Sequence, residues 1–187
     1  MGALARGTIA HGDVVVDWMF SDRHGGVSTG PYASLNFGAK VDDDPDAVAR
    51  NRAIIAAEIG CDRLAVVHQV HGRDVVRFDT GPLPAQPPHA DAAITDVPGT
   101  ALVVQTADCV PVLIADLGSG RIASVHAGWR GVAADAVGAT VAELNPVGPV
   151  RAWVGPAICP GCYEVSAEVR DEVAAAAPAA AATTRQG

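Results

Sequence analysis

The chain of 187 residues carries 13 Lys and Arg against 21 Asp and Glu, a formal net charge of −8. That balance argues against a nucleic-acid partner, which calls for a basic stripe. With 49% hydrophobic and 18% charged residues the composition is that of a soluble globular protein with a sizeable core, and no apolar run reaches the ~20 residues that span a bilayer.

Aromatics make up only 4%, so the expected core is aliphatic. Residues 1–13 lack the apolar stretch of a signal peptide, and the four cysteines (61, 109, 159 and 162) do not demand a disulfide framework. A cytoplasmic location is the expectation.

In chain order, residues 14–20 read as a strand that ends at Ser21-Asp22. A loop over residues 23–32 follows, with Gly25, Gly26, Gly30 and Pro31, of the kind that lets backbone approach a ligand. Arg23 within it is a candidate for binding an anion. Asp44-Pro45 is an acidic N-cap followed by proline at the first helical position, so a helix is expected over residues 45–59, stopped by Gly60. Val48, Ile54, Ile55 and Ile59 supply its apolar stripe, and Arg50 and Arg52 read as solvated face residues.

Residues 64–67 and 74–78 read as short strands flanking His68-Gln69-Val70-His71-Gly72. Residues 80–90 hold Pro82, Pro84, Pro87 and Pro88 and read as a mobile loop. Apolar runs at 101–104 and 112–115 bracket Thr106-Ala107-Asp108-Cys109-Val110-Pro111. A hairpin turn at residues 117–120 leads to a strand over 122–125, which delivers His126-Ala127-Gly128-Trp129-Arg130-Gly131. From Arg130 a helix is expected, with Ala133, Val137, Thr140, Val141 and Leu144 on one face, ended by Asn145-Pro146. A strand over 150–154, a loop over 155–165 and a helix over 166–177 complete the pattern, with an alanine-rich tail over 174–187. Alternating strands and helices imply one mixed α/β domain over residues 1–187.

His71, Cys109 and His126 each follow an expected strand. One cysteine with two histidines suits zinc, and three protein ligands leave a position open for water or substrate. Spacings of 38 and then 17 residues are not those of a zinc finger, so these ligands converge only through the fold. Without a metal, Cys109 could serve as a nucleophile with His126 as its base; a buried cysteine and a core histidine are the plainer alternative. Copper can take the same donors, but six histidines with no His-x-His pair cannot assemble a multicopper cluster. Arg130, beside a helix start where the amides of Gly131 and Val132 are expected to be free, is a candidate for phosphate. Cys159-Pro160-Gly161-Cys162 has the spacing of redox sites and of half a zinc knuckle.

The segments Gly25-Gly26-Val27-Ser28 with Pro31-Tyr32-Ala33-Ser34-Leu35-Asn36, Gln69-Val70-His71-Gly72, residues 106–111, residues 126–131, and Gly155-Pro156 with Cys162-Tyr163-Glu164-Val165 occur in order. The series resembles that of the laccase-domain family, once called polyphenol oxidases and now described as zinc-dependent purine nucleoside phosphorylases. The resemblance implies a mixed α/β fold with a central mixed sheet, similar to that of a cysteine deamidase toxin. It implies zinc on His71, Cys109 and His126. It also implies phosphorolysis of adenosine, inosine, guanosine and 5′-methylthioadenosine, with adenosine deamination as a further activity. Phosphate and purine nucleosides are then the partners, as monomer or homodimer, with Asp108 and His68 as candidates for proton handling and Arg130 and Arg23 for substrate binding. Family members continue some tens of residues further, into a segment rich in Ser, Arg and Gly, so part of the pocket is expected to be missing from a chain that stops at Gly187.

Overall fold

A hairpin opens the chain. β1 (Ala3–His11) and β2 (Val14–Ser21) pair antiparallel across Gly12-Asp13, where Gly12 takes the positive φ of 58° that such tight turns require. The computed structural model describes residues 3–38 and 41–180. They form a mixed α/β fold whose chain divides into two compact units, Met1–Ala65 with Pro98–Ala101, and Val66–Val97 with Leu102–Gly187.

In the first unit β1 is a strand that the sequence does not announce. None of its residues is buried, so it has no inward face and no apolar alternation to betray it. Helix α1 (Pro45–Ile59) is bounded as expected: Asp44 accepts from the Asp46 amide, and Gly60 ends the helix at φ 74°. The fully buried Asn51 ties α1 to the glycine-rich loop. Its side chain accepts from the Val27 amide at 2.8 Å and donates to Ser28 Oγ and the Asn36 carbonyl at 2.9 Å each. A Cβ on Gly26 would lie 2.2 Å from the Ser34 carbonyl oxygen, so only glycine fits there. Arg50 is exposed as expected, whereas Arg52 is not a solvated face residue. It is half-buried, donates to the Phe37 carbonyl at 3.0 Å, and desolvation lowers its pKa.

Strands β3 (Arg63–Val66) and β6 (Thr100–Val103) form a two-stranded sheet. The second unit is built on five strands, β4 (Val75–Arg77), β5 (Ala92–Thr95), β7 (Val110–Asp116), β8 (Ile122–Ala127) and β9 (Val150–Val154), in the order β4-β5-β8-β7-β9. Only the β4–β5 pair is parallel. β5 went unannounced because it is four residues long and follows directly on the proline-rich stretch. That stretch is irregular, and its end is tied to the chain before it: the His68 amide donates to the Pro88 carbonyl at 2.8 Å and the Ala90 amide to the His68 carbonyl at 3.1 Å.

The single helix expected from Arg130 is two. α2 (Trp129–Ala133) and α3 (Ala136–Leu144) are separated by Asp135, which adopts φ 57° and caps α3 through the Gly138 amide. A short acidic side chain that tolerates the left-handed region and caps a new helix explains the break. The predicted face survives in α3: Leu144 and Thr140 are buried, and Val137 and Val141 pack against a core of Ala92, Ile94, Val112, Ile114, Ala123 and Val125. α4 (Ala167–Ala176), capped by Ser166, packs on α2. Of the expected alanine-rich tail, residues up to 176 are helical and Pro178–Ala180 form a 3-10 turn; residues 181–187 lie outside the described residues. Among the described residues no helix is long and apolar enough to cross a membrane.

Asp116 fastens the β7–β8 turn to the segment before β9. The fully buried carboxylate accepts from the amides of Gly118, Val147 and Gly148 at 2.9–3.0 Å and from Ser119 Oγ at 2.5 Å. Burial works to raise its pKa, but these hydrogen bonds outweigh it and bring the group from 3.8 to about 2. Because the folded pKa is depressed, this stabilisation is complete above 3.8 and is lost as pH falls toward about 2. Asp116→Ala should therefore cost roughly 3 kcal/mol at neutral pH by leaving buried donors unmatched. Urea unfolding of both proteins between neutral and acid pH checks this, and the gap between them should narrow in that acid window.

Candidate metal centre

The central strand of the larger sheet gathers the site through its two neighbours. In the β7–β8 ladder Val110 faces Ala127, so Cys109 lies across from Gly128, and His126 sits two residues back on the same face. In the β5–β8 ladder Ala92 faces Val125, so Asp91 comes opposite His126. The His126 amide donates to the Asp91 carbonyl at 2.7 Å, and His126 Nδ1 lies 2.8 Å from Asp91 Oδ1.

The same carboxylate positions the third residue. The amides of Val70, His71 and Gly72 donate to Asp91 at 3.2, 2.8 and 2.6 Å, wrapping the backbone around it as a small nest. Within that turn His71 is held at φ 62°, a left-handed conformation that costs an L-residue about 1–2 kcal/mol and that the nest enforces. The His71 and His126 rings meet edge to face, 4.7 Å between centroids.

The donor atoms of His71, Cys109 and His126 all lie within 4.8 Å of one another. With Nδ1 donating to a carboxylate, Nε2 of His126 is the nitrogen left with a lone pair, and such carboxylate–histidine pairing is the usual support of a metal-ligating imidazole. Burial pushes the Cys109 thiol pKa up, and the charges of Asp108 and Asp91 push it further. A cation bound beside the thiol would act in the opposite sense and favour the thiolate. Asp91 stays ionised: burial would raise its pKa, but the hydrogen bonds from His126 and the three amides lower it below the usual value. The set fits a soft or borderline cation. Gly128 leaves the room, since a Cβ there would lie 3.0 Å from Cys109 Sγ and 3.1 Å from His71 Cδ2.

A cavity of about 600 Å³ adjoins Cys109, lined by Asp108, Gly128, Trp129, Tyr163, Glu164 and Arg170, with apolar additions from Val169 and Val173. Asp108 is exposed beside Cys109. Arg130 is exposed and stacks over the Trp129 ring at 4.2 Å. The expected free amide of Val132 is corrected by the structure: it donates to the Gly128 carbonyl at 2.9 Å, as the first turn of α2 closes on itself. His68 packs its ring against His89, 4.4 Å between centroids. Arg23, in the first unit, directs two guanidinium nitrogens at the Ala33 carbonyl, at 2.9 and 2.6 Å, and so braces its own loop. Sequence reasoning missed Asp91, Gly128 as a spacer, and the contribution of Trp129, Tyr163, Glu164 and Arg170 to the cavity. An acidic residue opening the run Ala92-Ala93-Ile94-Thr95 was the available signal for Asp91.

Residues 17–187 match the family described as multi-copper polyphenol oxidoreductase laccase. A purine nucleoside phosphorylase of Streptomyces coelicolor is 50% identical over 176 residues, covering 90% of this chain and 72% of that protein. The purine nucleoside phosphorylase YfiH of Escherichia coli is 42% identical over 171 residues, covering 89% and 69%. Among solved structures, the Neisseria meningitidis protein NMB0706 superposes with a TM-score of 0.80 at 36% identity, covering 94% of this chain and 72% of that one. YlmD from Geobacillus stearothermophilus superposes at 0.77 and 33% identity, covering 82% and 62%.

Two substitutions probe the support of the centre. Asp91→Asn should weaken metal binding by roughly 10- to 100-fold, the usual cost of losing a ligand's hydrogen-bonded carboxylate. Gly128→Ala, which removes no donor but sets a methyl 3.0 Å from Cys109 Sγ, should weaken it by roughly tenfold. Competition with a chromophoric chelator measures both, and unaltered affinity in either variant would refute the corresponding support.

Proposed function

Because this chain belongs to the multi-copper polyphenol oxidoreductase laccase family, we propose that it is a zinc-dependent purine nucleoside phosphorylase, converting nucleoside and phosphate to free base and sugar 1-phosphate. The observation that carries this reading is the His71–Cys109–His126 cluster on the edge of a cavity large enough for a nucleoside. The names borne by relatives up to 50% identical point the same way. Zinc is favoured over several coppers because there is one three-donor group among the described residues, and no His-x-His pair in the chain.

His71, Cys109 and His126 would hold the ion, which when bound supplies a fixed positive charge and Lewis acidity beside the cavity. The remaining work falls to the chain's own groups. Asp91 keeps His126 in one tautomer and one orientation, and holds the His71 turn in place. Trp129 and Tyr163 line the cavity and supply aromatic side chains of the kind a purine packs against. Phosphorolysis forms a bond from phosphate oxygen to the anomeric carbon as the bond to the base nitrogen breaks, and the departing base takes up a proton. Arg130, stacked on the cavity residue Trp129, is the proposed phosphate-positioning group, with Asp108, which lines the cavity, and His68 as the candidates for proton transfer. Deamination of adenosine to inosine and ammonia, with water as the attacking group, is proposed as a second activity of the same cavity.

A metal-free cysteine hydrolase is the competing reading, and the electrostatics disfavour it. Such enzymes lower the thiol pKa with neighbouring cations, whereas burial and two carboxylates raise that of Cys109.

Purified protein incubated with adenosine and phosphate should yield adenine and ribose 1-phosphate, with inosine as a further product. Cys109→Ala should abolish bound zinc and lower turnover by at least about 100-fold. Zinc-loaded protein that yields none of these products would refute the assignment.

A further inference from the structure

Cys159 and Cys162 take no part in the centre described above. Both are free and exposed, and their Sγ atoms lie 3.0 Å apart in a sulfur hydrogen bond. The turn Cys159-Pro160-Gly161-Cys162 is closed by the Cys162 amide, which donates to the Cys159 carbonyl at 2.9 Å. A Cβ on Gly161 would meet nothing within 4 Å, so the turn is open to a reagent on that side. Bonded sulfurs stand about 2.05 Å apart, so the two thiols already lie within about 1 Å of bonding distance. The Cys162 contact lowers the Cys159 pKa and the same contact raises that of Cys162, so one thiol ionises before the other.

The turn is also joined to the cavity. The Ile158 amide donates to the Asp108 carbonyl at 3.0 Å, one residue from Cys109, and Ile158, Pro160 and Tyr163 all line the cavity. A covalent link between residues 159 and 162 therefore closes a segment of that wall.

We propose that Cys159 and Cys162 form a thiol–disulfide site, reversibly oxidised by small-molecule disulfides, on the wall of the cavity that adjoins Cys109. In the first step the Cys159 thiolate attacks one sulfur of the small disulfide, forming a mixed disulfide and releasing one small thiolate. The Cys162 thiolate then attacks the Cys159 sulfur, breaking the mixed bond and releasing the second small thiolate. Two cysteine thiols are oxidised, one disulfide is reduced to two thiols, and the cysteine protons end on the released thiolates.

The test exposes the full chain to graded ratios of oxidised to reduced glutathione, quenches with acid, alkylates the remaining thiols and maps them by mass spectrometry. Cys159 and Cys162 should lose alkylation together in one transition, with their peptide lighter by two hydrogens, and excess reduced glutathione should restore both. Cys162→Ser should stop at a glutathione adduct on Cys159. Lasting adducts on the unaltered protein, a bond to Cys61 or Cys109, links between chains, or no reaction at any ratio would each overturn the proposal. The readout needs no nucleoside turnover, so it stands or falls separately from the phosphorylase reading.

Discussion

One buried carboxylate orders the candidate metal centre. Asp91 is 1% exposed and would be costly to hold as an anion were it not surrounded by donors. Three consecutive amides and one imidazole supply them. Each donor belongs to a segment that must arrive in the right place for the charge to be tolerated. The His71 turn and the β8 strand are therefore located by the same four hydrogen bonds. Two of the three candidate ligands thus share a single support, and loss of that support would disturb both together.

The third ligand is set by sheet register, a different kind of constraint. Cys109 stands opposite Gly128, and a slip of one residue in β7 would turn it to the other face of the sheet. The site needs a vacancy as much as it needs donors. Gly128 provides it where the facing strands bring Cys109 Sγ and the His71 ring close. The resulting pocket is poor for a free thiolate and suited to a cation. Burial, and then the neighbouring carboxylates, raise the thiol pKa, and a cavity opens beside Cys109.

Local chemistry accounts for what was legible in the chain. α1 could be bounded to the residue because Asp44, Pro45 and Gly60 act within one turn of where they stand. β9 and α4 were likewise legible, expected at 150–154 and 166–177 and found at Val150–Val154 and Ala167–Ala176. β1 was hidden because a strand with no buried residue has no alternation, and β5 because four residues are too few to show a period. Arg52 looked solvated from its composition and place in a helix, yet the Phe37 carbonyl and the burial around it depend on how the preceding loop returns. The break at Asp135 was equally concealed, since an unbroken apolar face runs through it.

The sequence by itself determined which residues could bind a metal. His71, Cys109 and His126 were singled out by residue type and by their places at strand ends, and the motif series around them named the family. It could not show what holds those residues in place. Asp91 lies 20 residues from His71 and 35 from His126, and an aspartate before three apolar residues resembles any loop acid. Only the pairing of β5 with β8, and the turn folded back onto the carboxylate, made it the organising group. The physical reason is range. Caps and hydrophobic periods act over a few residues and are written locally, whereas a buried charge is stabilised by donors that only the folded chain brings together.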